Sequence, residues 1–132
     1  MTDVQELRIT LTVDDFEAAV AFYRDAIGLP QLEDWSSDGG RVLLLDVGRA
    51  TLELFDERQA AMVDDLEVGE RVSGKVRFAL QVPSAADAAT ALVDAGATPV
   101  APARTTPWGD TNARVAAPDG MQLTLFSPSL GG

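Results

Sequence analysis

The sequence predicts an α+β fold built from two tandem βαβββ modules, because one strand–helix–three-strand pattern occurs twice along the chain. The first copy opens with a strand at Leu7, and the second opens at Val76, about 69 positions later. In each copy the opening strand leads into a helical stretch that ends at a glycine, Gly28 or Gly96. Short apolar strands follow in both copies. The repeat therefore predicts the fold class before any single residue is interpreted.

The first module is predicted to cover about residues 5–56. Apolar and polar side chains alternate over residues 6–13, as in a half-buried strand. Asp14 and Glu17 have the spacing of a capping box, so we expect the first helix to begin at Asp14. The remaining strands of this module are predicted at residues 29–34, 41–46 and 50–55.

The second module is predicted to cover about residues 75–127. Its opening strand alternates like the first, and Ser84 with Asp87 marks the start of its helix. The remaining strands are predicted at residues 98–103, 112–116 and 122–127. Residues 57–74 are polar and acidic, and we interpret them as a linker with room for a helical turn. Because either module alone is marginal for an independent core, residues 1–132 are expected to form a single domain.

Composition excludes several kinds of chemistry. The chain contains no cysteine and no histidine, and its net charge is −11. Disulfides, thiolate nucleophiles and zinc–thiolate sites are thereby excluded, as are histidine bases and histidine metal ligands. The charge argues against a nucleic-acid partner. No apolar run is long enough to cross a membrane and no signal peptide is recognisable, so we expect a cytoplasmic protein without a membrane partner.

The polar faces of the strands carry the candidate site residues. Helices must cover the apolar faces. The opposite faces are too polar for a packed core and too aromatic for an ordinary surface, so two such sheets would enclose a cup. The side chains expected inside the cup are Arg8, Thr10, Glu53, Phe55, Arg77, Thr124 and Phe126.

Several motifs resemble those of the vicinal oxygen chelate superfamily, which includes glyoxalase I, extradiol dioxygenases and bleomycin-resistance proteins. They are a first strand ending at Val13, a helix with Phe22 and Tyr23 that closes at Ile27-Gly28-Leu29, and a late Pro118-Asp119-Gly120 turn. The resemblance covers about residues 5–127. It implies curved mixed sheets that form a cleft, helices on the outer faces, and a homodimer.

The resemblance also implies four metal-ligand positions, on the first and last strands of each module. In this chain they correspond to Arg8, Glu53, Arg77 and Thr124, of which only Glu53 matches the metal-binding pattern. A guanidinium repels a cation and does not deprotonate to coordinate one. We therefore expect neither a metal nor another cofactor.

The same positions allow two interpretations. In the first, Glu53 forms an ion pair with Arg8, joined by Arg77, and this pair only neutralises buried charge. In the second, an arginine is free to bind a carboxylate, phosphate or enolate of a ligand.

Trp35 and Trp108 are expected at the cleft rim, where they would stack on a planar ligand. The alternative for Trp108 is packing against the other module or against a partner subunit. Arg104 and Arg114 flank the Trp108 loop, and we interpret both as solvated surface residues.

The leading functional hypothesis is metal-independent binding of a small organic molecule in the cleft of a homodimer. Sequestration of an aromatic antibiotic or metabolite, as in bleomycin-resistance-like relatives, is its most concrete version. The alternative is a glyoxalase-like lyase or isomerase that uses Glu53 as the base and Arg8 and Arg77 as anion stabilisers. A third hypothesis is a module that serves only in assembly.

Overall fold

A computed structural model describes residues 3–128 and shows the predicted α+β architecture. Its strands are β1 (Glu6–Thr12), β2 (Gln31–Asp34), β3 (Val42–Asp46), β4 (Thr51–Phe55), β5 (Val76–Gln81), β6 (Thr98–Thr105), β7 (Thr111–Ala116) and β8 (Gln122–Ser127). Its α-helices are α1 (Phe16–Val20), α2 (Glu57–Glu67) and α3 (Ala85–Asp94). A π-helical segment, Ala21–Ala26, continues α1.

The two modules share one eight-stranded mixed sheet, in the order β2-β3-β4-β1-β5-β8-β7-β6. The opening strands of the two repeats, β1 and β5, pair antiparallel at its centre, with Arg8 opposite Ala79 and Thr10 opposite Arg77. Each opening strand also pairs parallel with the closing strand of its own module, β1 with β4 and β5 with β8. The candidate residues on these four strands therefore lie on adjacent strands of one sheet.

Helices α1 and α3 cover one face of the sheet and build the two larger parts of the core. Against α3 lie buried side chains of the second module: Val82, Ala85, Ala88, Ala113, Val115 and Leu125. Against α1 lie buried side chains of the first module: Phe16, Val20, Leu43, Leu45 and Leu54. These contacts confirm that the strands expose one apolar face to covering helices.

The predicted linker contains an 11-residue helix, α2, which is a correction to the sequence analysis. Asp56 caps α2, because its carboxylate accepts a hydrogen bond from the Gln59 amide at 2.8 Å. Ala60 and Val63 of α2 pack against strand residues that alternate with those facing α1. Alternation along a strand reverses the face, so α2 lies on the opposite side of the sheet from α1.

The helix starts agree with the sequence in one module and differ by one residue in the other. Ser84 caps α3 by accepting a hydrogen bond from the Asp87 amide, as expected. Helix α1 is capped by Asp15, whose carboxylate accepts from the Ala18 amide at 3.0 Å, and not by Asp14. No helix in residues 3–128 is both long enough and apolar enough to cross a membrane.

Candidate functional site

A cavity of about 490 Å³ lies between α2 and the sheet face that α2 covers. Eight of the nine residues predicted for the site line it: Arg8, Trp35, Glu53, Phe55, Arg77, Trp108, Thr124 and Phe126. The ninth, Thr10, is 1% exposed and lies outside this cavity. The sequence analysis missed the α2 residues that form one wall: Gln59, Met62, Val63 and Glu67.

Glu53, Thr10 and Arg77 occupy one row across three neighbouring strands. The register places Glu53 of β4 beside Thr10 of β1, and Thr10 beside Arg77 of β5. Two strand spacings separate the Cα atoms of Glu53 and Arg77, which is about 10 Å. The row therefore places a carboxylate and a guanidinium on one face, with a small hydroxyl residue between them.

Glu53 is a buried carboxylate with one hydrogen bond. Glu53 is 7% exposed to solvent. The Thr10 hydroxyl donates to Glu53 Oε1 at 2.9 Å, and this is the one hydrogen bond to the carboxylate within residues 3–128. The hydrogen bond from Thr10 thus orients the Glu53 side chain. The second carboxylate oxygen, Oε2, remains available to a ligand in the cavity.

Arg77 is a buried guanidinium with a single side-chain hydrogen bond in the described part of the chain. The residue is 5% exposed, and its Nη1 donates to the Thr124 hydroxyl at 2.7 Å. Its guanidinium carbon lies 5.6 Å from the centre of the Phe55 ring. Burial lowers the pKa of Arg77, and the nearby Glu67 carboxylate partly offsets that effect. Arg77 remains charged at neutral pH even so, because the ordinary pKa of arginine lies far above neutral.

The ion pair of Glu53 with Arg8 and Arg77, which is the first of the two interpretations of these positions, is not formed. Within residues 3–128, neither arginine has a nitrogen within 4.0 Å of a Glu53 oxygen. Arg8 pairs with Glu6 at 3.2 Å, because residues two apart on a strand share a face. The Arg8 guanidinium also lies 5.4 Å from the Trp35 ring centre and 4.8 Å from that of Phe126.

Arg114 is fully buried, which corrects its interpretation as a solvated surface residue. Its Nη2 donates to Glu67 at 2.7 Å, its Nη1 donates to Asp64 at 3.1 Å, and its Nε donates to the Thr124 hydroxyl at 3.1 Å. Arg114 lies opposite Thr124 in the β7–β8 register, which turns its side chain to the face that α2 covers. The alternation of apolar and polar residues along β7 could have indicated that Arg114 points inward. Its acidic partners, Asp64 and Glu67, could not be foreseen, because they lie in the segment that was predicted to be a linker.

Asp64 fixes the chain that follows α2. Its carboxylate accepts hydrogen bonds from the amides of Val72 and Ser73 and from the Ser73 hydroxyl, and it pairs with Arg71. Burial alone would raise the pKa of Asp64. The hydrogen bonds from Ser73 and Val72 and the charge of Arg114 outweigh burial and lower the pKa from 3.8 to about 2.

Two half-exposed tryptophans lie at the rim of the cavity. Trp35 is 45% exposed and Trp108 is 49% exposed, and they come from different modules. Deeper in the cavity, Asn112 donates to Glu67 at 2.9 Å. The side-chain oxygens of Gln59 and Asn112 are the buried polar atoms without a hydrogen-bond partner in residues 3–128. The site thus combines an aromatic entrance with a polar interior.

The four positions that correspond to metal ligands do not fit a metal ion. Arg8 and Arg77 place two guanidinium groups there, and the Thr124 hydroxyl already accepts hydrogen bonds from Arg77 and Arg114. Glu53 alone offers a carboxylate. The described part of the chain has no group of three or more acidic side chains arranged to hold a metal ion.

The fold and the position of the cleft define a two-module member of the glyoxalase type, and comparison with known proteins agrees. The sequence model of the Glyoxalase/Bleomycin resistance protein/Dioxygenase superfamily matches residues 7–125, and the chain belongs to this superfamily. A comparison with curated protein sequences finds no match.

Solved structures with the same fold are similar over nearly the whole chain. A hypothetical protein of Bacillus halodurans C-125 has a TM-score of 0.70 at 15% identity, covering 97% of this chain and 95% of that one. Methylmalonyl-CoA epimerase of Mycobacterium tuberculosis has a TM-score of 0.68 at 21% identity, covering 97% and 91%. A superfamily member of Vibrio splendidus 12B01 has a TM-score of 0.65 at 12% identity, covering 95% and 99%. At these identities the similarity establishes the fold.

Proposed function

We propose that this protein binds a small organic molecule with a planar part in the cavity, without a metal ion. The observation that carries the proposal is the combination of an aromatic entrance with two buried, opposite charges that have no ionic partner among residues 3–128. Pockets of several hundred cubic ångströms with apolar walls and a few convergent polar groups are typical small-molecule sites. Sequestration of an aromatic antibiotic or metabolite in the cytoplasm is the corresponding biological role.

The arrangement supports binding in two parts. The rings of Trp35 and Trp108 offer stacking surfaces at the rim. Glu53 and Arg77 offer an acceptor and a set of donors on the floor. A ligand that stacks above and forms hydrogen bonds below satisfies groups that are otherwise buried with few partners, and such groups are costly to leave unpaired.

A thermal-shift screen tests the proposal. The compounds are antibiotics, aromatic metabolites, α-keto acids and divalent metal salts. We expect an organic compound to raise the melting temperature in a concentration-dependent way, since ligand binding stabilises the folded state. If no organic compound does so, or only a metal salt does, the proposal is wrong.

A cavity-filling variant provides the matched control. Ala79 is buried and lines the cavity, so Ala79→Leu should occupy the ligand's space and abolish the shift. Ala61→Leu makes the same chemical change on the exposed side of α2 and should leave the shift intact. Equal loss in both variants would mean that the compound binds elsewhere.

A second candidate function is metal-independent isomerisation of a carbonyl compound. The free oxygen of Glu53 is suited to remove a proton from the carbon beside a carbonyl, and Arg77 is suited to stabilise the resulting enolate oxygen. The similarity to methylmalonyl-CoA epimerases favours this candidate over other enzyme classes.

Exchange of carbon-bound hydrogen with solvent distinguishes the two candidates. An isomerase should catalyse deuterium incorporation next to the carbonyl of an α-keto acid in heavy water, as followed by NMR. Glu53→Gln should abolish this exchange, whereas Glu33→Gln, on an exposed strand, should not. Binding that stabilises the protein without any exchange would favour the binding role.

A further inference from the structure

We infer that the ligand of this cavity is an uncharged planar heterocycle with a lactam-type edge, in which an N–H group lies beside a C=O group. This inference rests on the proposed binding function and specifies the chemical class of the ligand. It follows from the charge balance of the floor, the positions of Glu53 and Arg77 and the aromatic rim.

The first step is the charge balance. Two charged groups that line the floor have ionic partners: Arg8 pairs with Glu6, and Glu67 pairs with Arg114. Glu53 and Arg77 have none within residues 3–128, and their charges sum to zero. Asp110 also lines the cavity, but it belongs to the partly exposed rim, where water screens it.

The second step is the cost of a charged ligand. A carboxylate would satisfy Arg77 but would enter the same cavity as the unpaired Glu53 carboxylate. An ammonium group would satisfy Glu53 but would meet Arg77. Like charges close together in a buried setting are unfavourable. A neutral group that donates to Glu53 and accepts from Arg77 satisfies both without adding charge.

The third step is the spacing. Glu53 and Arg77 flank Thr10 in one row, and the Thr10 hydroxyl is already used by Glu53. Glu53 and Arg77 both line the cavity, whereas Thr10 between them does not. An edge with a donor and an acceptor on adjacent atoms, as in a lactam, fits between a carboxylate and a guanidinium that point to the same space.

The fourth step is the shape of the entrance. Trp35 and Trp108 at the rim and Phe55 and Phe126 on the floor favour a flat ring over a flexible zwitterion such as an amino acid. A cavity of about 490 Å³ has room for a bicyclic or tricyclic system.

Calorimetric titration of the full chain with three related probes tests the inference. The probes are quinolin-2(1H)-one, its N-methyl derivative, and quinoline-2-carboxylate. We expect the lactam to bind roughly tenfold tighter than the N-methyl compound, because a hydrogen bond to a charged acceptor is lost on methylation. We also expect it to bind tighter than the carboxylate.

Three results would overturn the inference: no binding of the lactam, equal binding of its N-methyl derivative, or preferred binding of the carboxylate. Each is measured on the unmodified protein, so the test does not depend on a variant that folds. If the inference fails while another organic compound from the thermal-shift screen binds in the cavity, the proposed function stands. If no compound binds, the proposed function fails as well.

A charge-changing variant adds a specific readout. Glu53→Gln keeps a hydrogen bond to Thr10 and removes the negative charge, so Arg77 becomes the one unbalanced group of the floor. The affinity for quinoline-2-carboxylate should then rise about tenfold. Glu33→Gln changes the net charge equally on the exposed strand β2 and should not alter the preference. An unchanged preference in Glu53→Gln would contradict the charge-balance argument.

Discussion

Arg114 shows how one buried side chain organises the site. It donates hydrogen bonds to Asp64 and Glu67 of α2 and to Thr124 of β8. Thr124 in turn accepts a hydrogen bond from Arg77. Through these contacts one guanidinium ties the helix to the sheet and fixes the group that holds Arg77 in the cavity.

Replacement of Arg114 should therefore be costly. Arg114→Met removes the ionic partner of the buried Glu67 and leaves Asp64 with Arg71 alone, so we expect a loss of about 3–5 kcal/mol in the free energy of unfolding. Urea denaturation followed by circular dichroism measures this loss. Arg104→Met is the matched control, since Arg104 is exposed on the adjacent strand, and it should change stability by less than about 0.5 kcal/mol. Similar midpoints for the two variants would contradict the central role of Arg114.

Trp108 provides a spectroscopic prediction at the rim. A planar compound that binds in the cavity should quench its fluorescence in a Trp35→Phe background. Trp108→Ala should weaken binding by about 1 kcal/mol, which is the typical contribution of an aromatic pair. If Trp108→Ala instead changes the subunit equilibrium and leaves the affinity intact, Trp108 belongs to a subunit interface and not to the ligand site.

At the scale of elements, strand positions could be predicted but α2 could not. Alternation of apolar and polar residues correctly placed β1 and β5. In both strands, however, the buried positions are on the face predicted to be polar: Thr10 and Thr12 in β1, Arg77 and Ala79 in β5. Helix α2 buries Gln59, Asp64 and Glu67 next to Ala60 and Val63, so polar residues interrupt the apolar stripe of its inner face. Its partners are an arginine and an asparagine on a distant strand, which only the folded sheet brings near.

The residues that line the site could be predicted from the same alternation along the strands, but their contacts could not. Alternation identified which side chains point inward, and Arg8, Glu53 and Arg77 do line the cavity. It did not identify their partners, because pairing depends on register between strands that are far apart in sequence. The register places Arg8 beside Thr51, two residues along β4 from Glu53, and Arg8 pairs with Glu6 instead.

The Asp64 carboxylate, which attaches α2 to the chain that follows it, gives a prediction for stability in acid. Because the folded-state pKa of Asp64 is about 2 and its ordinary value is 3.8, the ionised carboxylate stabilises the folded state above about pH 4. This stabilisation, about 2 kcal/mol, should be lost as the pH falls from about 4 towards 2. Urea midpoints between pH 5 and pH 2 measure it.

Two variants isolate the contribution of Asp64. Asp64→Asn should be less stable than the unmodified protein at pH 5, and the difference should shrink as the pH falls towards 2. Asp65→Asn, on the exposed side of the same helix, should follow the unmodified protein throughout. A difference for Asp64→Asn that is constant with pH would show that Asp64 acts through packing and not through its charge.

At the scale of the whole molecule, one stretch of chain stays unusually apolar at the surface. Phe22 is 57% exposed, Ile27 is 54% exposed and Leu32 is 48% exposed, and all three belong to the segment from the π-helix to β2. Scattered apolar side chains are ordinary on a surface, whereas apolar side chains grouped in one patch mark a contact with another molecule. We predict that these three side chains belong to such a patch. A second copy of this chain is the partner that we expect.

Dimerisation through this segment is therefore the last prediction. Light scattering at micromolar concentration should give about twice the 14.0 kDa mass of the chain. Phe22→Ser should shift the equilibrium towards the monomer, because it removes the most exposed of the large apolar side chains. Val47→Ser is the control, since Val47 is 45% exposed in the turn between β3 and β4, outside the segment. A mass of one chain over the whole concentration range would refute the dimer. A dimer that Phe22→Ser leaves intact would place the interface elsewhere, and the exposed segment would then belong to a different contact.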